Sequence, residues 1–186
     1  MREATKDQER ADELLAVCCQ LGERAAFDEL IRRWSGPLRR YVARVADDAD
    51  AADEMVQDIW LKVVQGIGQL RDCARFRSWL FGIAHRTLMD RLRVRYGDPI
   101  TASTDLGEIA LEEDDSGREK ACREVELGLQ RLPITERNVL TLFYLEELPL
   151  SEIAAVLAVP VGTVKSRLFR ARGLLRQQLD QGDLTS

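Results

Sequence analysis

Apolar residues recur in this chain at steps of three and four, and that period admits helix and little else. Ala11, Leu14, Leu15 and Cys18 begin the pattern, which places Cys18 in a core. Phe27, Leu30, Ile31 and Trp34 repeat it, and so do Leu38, Tyr41, Val42 and Val45, with Gly36-Pro37 between them reading as a bend. A further stripe is Val56, Ile59, Trp60, Val63 and Ile67; Phe76, Trp79, Leu80 and Ile83 then open a helix that runs to about Arg95. Aromatic residues make up only 6% of the chain, while good helix formers recur throughout, so no sheet is expected. One helical domain, residues 1–96, ends here.

Residues 97–116 carry Gly97, Pro99, Gly107 and a run of acids without any period, the marks of a flexible acidic linker. Helical spacing returns at Cys122, Val125, Leu129 and Leu132. Pro133 stops that helix, and Thr135 followed by Glu136 reads as the start of the next, which turns Val139, Leu142 and Phe143 inward. Ser151 reads as the cap of a short helix, and a turn through Pro160 leads into a basic helix ending near Leu179. The fold class is therefore all-α, with a second small helical domain at 117–180 and a tail at 181–186.

A net charge of −5 argues against nucleic acid only if it is evenly spread, and it is not. Between positions 75 and 95 six arginines face one acid, Asp90, and Lys165, Arg167, Arg170, Arg172 and Arg176 have no acid among them. Ten acids lie between Asp98 and Glu126, so the acidic total comes largely from the linker. The charged N-terminus has no signal-peptide core, and no run approaches the about 18 apolar residues of a membrane span, so a cytoplasmic protein is expected. Cys18, Cys19, Cys73 and Cys122 show no C-x-x-C pair and His85 is the sole histidine, which points to no metal, no cofactor and no disulfide framework. Cys18-Cys19 also fits an oxidant sensor, less well than buried thiols. A lone histidine without a positioned nucleophile or carboxylate does not make an active site, so no enzyme is expected.

Residues 150–172 have the anatomy of a helix-turn-helix, with Ala154 small enough for the second helix to cross the first. Val164, Leu168, Ala171 and Leu175 form the buried stripe of that second helix. Thr163, Lys165, Ser166, Phe169, Arg170 and Arg172 stay outside it, with Arg167 at its edge. Arginine reads guanine and binds phosphate, so an acid-free face of this kind suits the major groove; a solvated face is the rival reading.

The run Val161-Gly-Thr-Val-Lys-Ser-Arg-Leu-Phe-Arg-Ala-Arg172, with Leu132-Pro133, Glu136-Arg137 and Ser151-Glu-Ile-Ala154, resembles region four of the extracytoplasmic-function sigma factors. Response regulators share such a motif, which leaves a DNA-binding regulator as the alternative for this half alone. Asp50-Ala-Ala-Asp53-Glu54-Met-Val-Gln57-Asp58-Ile-Trp60 and Phe76-Arg-Ser-Trp-Leu80 through Asp90 and Arg93 resemble region two of the same family, which the alternative does not explain. The resemblance implies a sigma factor that takes core RNA polymerase to promoter DNA. It implies that Asp50, Asp53, Glu54, Gln57 and Asp58 meet the polymerase, an acidic face suited to a basic protein partner, although a merely solubilising face has the same composition. It implies that Arg75, Arg77, His85, Arg86 and Arg93 hold the minus-ten element as a single strand, with a base pocket in the loop 68–74. Region four would read the minus-thirty-five element as duplex. His85-Arg86 departs from the Arg-Asn of many members. An anti-sigma factor is a further partner that the resemblance allows.

Overall fold

The computed structural model describes residues 2–46, 52–96 and 117–182, and these are helical almost throughout. Four helices come from the first two segments: α1 (Arg2–Gln20), α2 (Arg24–Ala46), α3 (Ala52–Gly66) and α4 (Phe76–Tyr96). The last segment forms α5 (Gly117–Gln130), α6 (Ile134–Leu140), α7 (Leu150–Leu157) and α8 (Val161–Gly182). Asp50, the linker 97–116 and positions 183–186 lie outside the described residues.

Helices α1 to α4 close around Leu30, Leu38, Tyr41, Ile59, Phe76, Phe81 and Leu88, all essentially without solvent exposure. The apolar period predicts α3 and α4 well, with Val56, Ile59, Trp60 and Val63 buried on one side of α3. In α1 the buried line is offset. Ala16 and Cys19 are in the core, whereas Leu14 is 61% exposed and Cys18 only partly covered, so Cys19 rather than Cys18 is the core thiol. Asp12 joins that line, buried and within 3.3 Å of Arg33 on α2. Counting hydrophobes alone misses it, because an ion pair across two helices makes a carboxylate tolerable inside. Burial pushes the Asp12 carboxyl up, while the Trp34 indole and the Arg33 guanidinium pull it back.

Gly36-Pro37 makes no break. α2 runs continuously from Arg24 to Ala46 with Pro37 inside it. An interior proline costs about 3 kcal/mol through its missing donor and its clash one turn back. Trp34, Leu38, Tyr41 and Val42 flank it and are all buried, each side chain contributing about 1.5–3 kcal/mol, so packing outweighs the local penalty.

In the C-terminal helices, Pro133 and Pro149 themselves occupy the positions preceding α6 and α7, and neither Thr135 nor Ser151 caps. Both hydroxyl residues sit one step inside their helices. A single π-turn, Thr141–Leu145, follows α6, closed by the Glu146 amide donating to the Thr141 carbonyl at 3.0 Å. α7 ends at Ala158, which is left-handed with φ 52° and donates to the carbonyls of Ala154 and Ala155. α8 packs on α6, α7 and α5 through Val164, Leu168 and Ala171. Gly128 allows the α5 approach: a Cβ there would lie 2.9 Å from Leu175 Cδ1. The two groups of helices also pack on each other, α4 along α7 and α2 against α6.

Candidate nucleic-acid interface

The outer face of α8 follows from its buried one. With Val164, Leu168 and Ala171 turned inward, Lys165, Ser166, Phe169, Arg170 and Arg172 are exposed, Phe169 to 82%, and Thr163 and Arg167 are half-covered at the edge. No acid occurs on α8 before Asp180. Three of these side chains are held from within. The Ser166 hydroxyl donates to the Thr163 carbonyl at 3.0 Å. Arg170 donates to the carboxylate of Glu136, a buried residue of α6 that also accepts from the Thr135 hydroxyl. Arg172 lies over the rings of Phe143 and Tyr144, 5.8 and 5.5 Å from their centroids, an orienting cation–π contact. Pinned cations in front of an apolar scaffold can meet phosphates and base edges without first losing side-chain freedom.

α4 carries the second basic group, and here the predicted residues divide. Arg75 and Arg86 are exposed and border one cavity of about 290 Å³ with Leu70 and Trp79, beside the loop expected to receive a base. Arg75 also reaches Asp72 at 3.3 Å. Arg93, further along, pairs with Asp90 at 3.3 Å. Arg77 and His85 face inward instead, towards the C-terminal helices. The Arg77 guanidinium sits 5.7 Å over the Trp34 ring and donates to the Glu146 carbonyl. His85 Nδ1 accepts from Asn138 Nδ2 at 2.8 Å, which leaves Nε2 to carry the ring proton. Burial, with Arg86 and Arg167 near by, lowers its pKa from 6.5 to about 4, so the ring is neutral.

On α3, Asp53, Glu54 and Gln57 are exposed and Asp58 half-exposed. Their charges already have partners: Arg39 Nε is 2.6 Å from Asp53, and Arg91 lies 2.5 Å from Glu54 and 3.7 Å from Asp58. Exposed pairs like these exchange readily, each worth about 0–1 kcal/mol, so the surface remains available to another basic partner.

Sequence reasoning missed the polar residues between the two helix groups. Asn138, 2% exposed, joins His85 to Tyr41, whose hydroxyl donates to Asn138 Oδ1 at 2.9 Å. Arg137, also buried, donates to the carbonyls of Arg44 at 3.3 Å and Val45 at 3.5 Å, the end of α2. The carboxyl of Glu146 is buried among Arg77, Arg40 and Arg44; burial pushes it up and the arginines draw it down. The one available signal was Glu136-Arg137-Asn138, three polar residues in a seven-residue helix with no polar face to spare. Cys19 is pushed up to about 11 by burial, with Cys18 and Glu23 adding, so its thiolate is disfavoured and a redox role gains no support. No helix among the described residues is long and apolar enough to cross a membrane.

Comparison with known proteins places two matches on the chain. Sigma-70 region 2 matches residues 30–96, and Sigma-70, region 4 matches residues 122–175. The ECF RNA polymerase sigma factor SigM of Mycobacterium tuberculosis is 32% identical over 171 residues, covering 92% of this chain and 86% of that protein. The RNA polymerase sigma-H factor of Pseudomonas aeruginosa is 32% identical over 180 residues, 90% of this chain and 93% of its own. Among solved structures, CnrH in complex with the cytosolic domain of CnrY superposes with a TM-score of 0.68 at 27% identity, over 92% of this chain and 98% of CnrH.

Proposed function

The chain belongs to the extracytoplasmic-function sigma factors of the sigma-70 family, and from that membership we propose how its parts divide the work. It is a sigma factor, directing promoter-specific transcription initiation with RNA polymerase. Residues 1–96 serve as region two, 97–116 as the linker, 117–180 as region four and 181–186 as a tail. Asp50, Asp53, Glu54, Gln57 and Asp58 meet core polymerase. Arg75, Arg77, His85, Arg86 and Arg93 hold the melted minus-ten strand, and Thr163, Lys165, Ser166, Arg167, Phe169, Arg170 and Arg172 read the upstream duplex. As an initiation factor the chain supplies contacts, and bond formation belongs to the polymerase in the cytoplasm, with no cofactor on this chain. CnrH is held by a second chain, and an anti-sigma factor is the corresponding partner in this reading.

One observation carries the proposal: a region-two match ending in a basic helix and a region-four match whose outermost helix has an acid-free face occur on the same chain. Two modest DNA contacts joined by a linker gain avidity through effective concentration. Run-off transcription with purified core polymerase tests it. The chain should confer initiation at discrete starts with an upstream and a minus-ten element. DNA binding without polymerase-dependent starts would leave only a DNA-binding regulator.

A further inference from the structure

The loop between α3 and α4, expected to receive a base, is held from behind by a residue of α1. The loop contains two short 3-10 turns, Ile67–Gln69 and Cys73–Arg75, and α1 packs along both. Gln20 is the last residue of α1, and its side-chain amide enters this loop. Nε2 donates to the carbonyls of Ile67 at 2.9 Å and Leu70 at 2.7 Å, and Oε1 accepts from the Cys73 thiol at 3.6 Å. The Leu70 amide also donates to the Ile67 carbonyl at 3.1 Å. One side chain thus bridges both ends of the first turn and reaches the start of the second.

The place from which Gln20 acts is itself fixed. α1 closes on Gly22, which is left-handed with φ 86°, and the amides of Gly22 and Glu23 donate back to the carbonyls of Cys19 at 3.0 Å and Cys18 at 3.1 Å. Cys19, the residue before Gln20, is buried in the core.

The cavity lies on the other side of the same loop. Leu70, whose carbonyl Gln20 holds, lines it together with Asp72, Arg75, Trp79 and Arg86. Asp72 accepts from the Ala74 amide at 3.2 Å and pairs with Arg75, and Trp79 lies so close to Gly66 that a Cβ there would be 3.3 Å from its ring. Gln20 is outside that lining, with both amide hydrogens committed to backbone carbonyls. Whatever it does for a bound base, it does through the loop.

We propose that Gln20 is a positioning residue for minus-ten recognition: by fixing the carbonyls of Ile67 and Leu70 it keeps the cavity in shape before the strand arrives, and so sets how sharply one unstacked base is told from the other three. This rests on the reading of this loop and α4 as the strand-holding site. A cavity already in shape need not be ordered by its ligand, whereas one that yields accepts the wrong base more easily.

The test uses the full-length chain with purified core polymerase. Gln20→Met keeps the length and helix preference of the side chain and removes both donors; Gln20→Glu removes them while keeping an acceptor for the Cys73 thiol. Asp72→Ala changes the cavity lining directly. Run-off transcription is read from two promoter libraries, one randomised through the minus-ten element and one through the upstream element, and thermal unfolding is followed alongside. Because Gln20 is exposed at a helix end, both of its variants should unfold near the wild-type temperature. Both should lower preference by about fivefold at one minus-ten position, the position that Asp72→Ala also changes, and leave the upstream profile as it was. Loss by the same factor at every position, or at a position other than that of Asp72→Ala, reduces Gln20 to a structural residue and overturns the proposal. A profile altered by Asp72→Ala but not by either Gln20 variant overturns it too, and leaves the cavity as the base site. If none of the three variants alters the minus-ten profile, the reading of the loop fails, and the positioning role with it.

Discussion

Arg170 on the outer face of α8 is tied to Glu136, a carboxylate sealed at the start of α6. Arg170, proposed above to read the upstream duplex, is thus also the partner of a buried charge. Arg170→Ala should accordingly have two separable effects. It should relax preference at one upstream promoter position by about 1–3 kcal/mol. By stranding Glu136, it should also lower stability by about 1–3 kcal/mol. Adding Glu136→Gln should recover stability but not the preference. Thermal unfolding and a promoter library with core polymerase read the two, with Arg172→Ala as the variant that weakens all sequences alike. A uniform loss of affinity in Arg170→Ala would make it a phosphate contact and move base reading to Lys165, Ser166 or Phe169.

The α3 surface makes the second prediction. Asp53→Lys with Asp58→Lys should weaken core polymerase binding by tenfold or more, about 1.4 kcal/mol, by turning attraction into repulsion. Arg39→Ala is the control, because it removes the intramolecular partner of Asp53 without adding a like charge. It should leave binding unchanged or slightly stronger. Pull-down by the double variant at wild-type levels would take this surface out of the polymerase contact.

Promoter melting gives a third. Arg86→Ala and Arg93→Ala should impair run-off from closed duplex much more than from a template mismatched at the minus-ten element, since only the first must be opened. Arg77→Ala should show a smaller difference between templates, because Arg77 is turned inward, over the Trp34 ring and onto the Glu146 carbonyl. Equal losses on both templates for Arg86→Ala and Arg93→Ala would exclude a melting role.

The helices were legible in the sequence because their apolar residues repeat locally, and the α8 face because its residues are contiguous. The polar contacts between the two helix groups were not. Tyr41 and Asn138 stand 97 positions apart and His85 and Asn138 stand 53 apart, and polar groups that satisfy one another carry no period. At Pro37 the local rule allowed a break as readily as a bend, and tertiary burial of Trp34, Leu38 and Tyr41 keeps the helix continuous through it. Arg77 and His85 were identified from their place on a basic helix, but which side of that helix they occupy depends on α6 and the π-turn.

A pH dependence follows from His85. Folded, its ring is neutral with a pKa lowered from 6.5 to about 4; unfolded, it regains water and titrates near its ordinary value. The unfolded chain thus binds more protons between those values. The histidine's contribution to stability is complete above about pH 6.5 and is lost as pH falls towards 4. Arg86 and Arg167 are the cations nearest the ring, and Asn138 does not titrate. Glu146 acts in the opposite sense near the lower end, where protonation relieves a buried charge. Thermal unfolding against pH should show the wild-type chain losing stability on acidification and His85→Gln much less so; identical profiles would exclude the histidine.

Ala158 bends α7 into the left-handed turn before α8, a conformation that disfavours any side chain beyond hydrogen by about 1–2 kcal/mol. Each 1 kcal/mol multiplies the unfolded population of a cooperative unit about fivefold, and proteases in the cell work on that population. Relief of that cost at the turn before α8 should therefore lengthen the life of the protein in the cell. Ala158→Gly, measured by pulse-chase, should persist longer than the wild type, and equal half-lives would show that degradation does not pass through the opening of this turn.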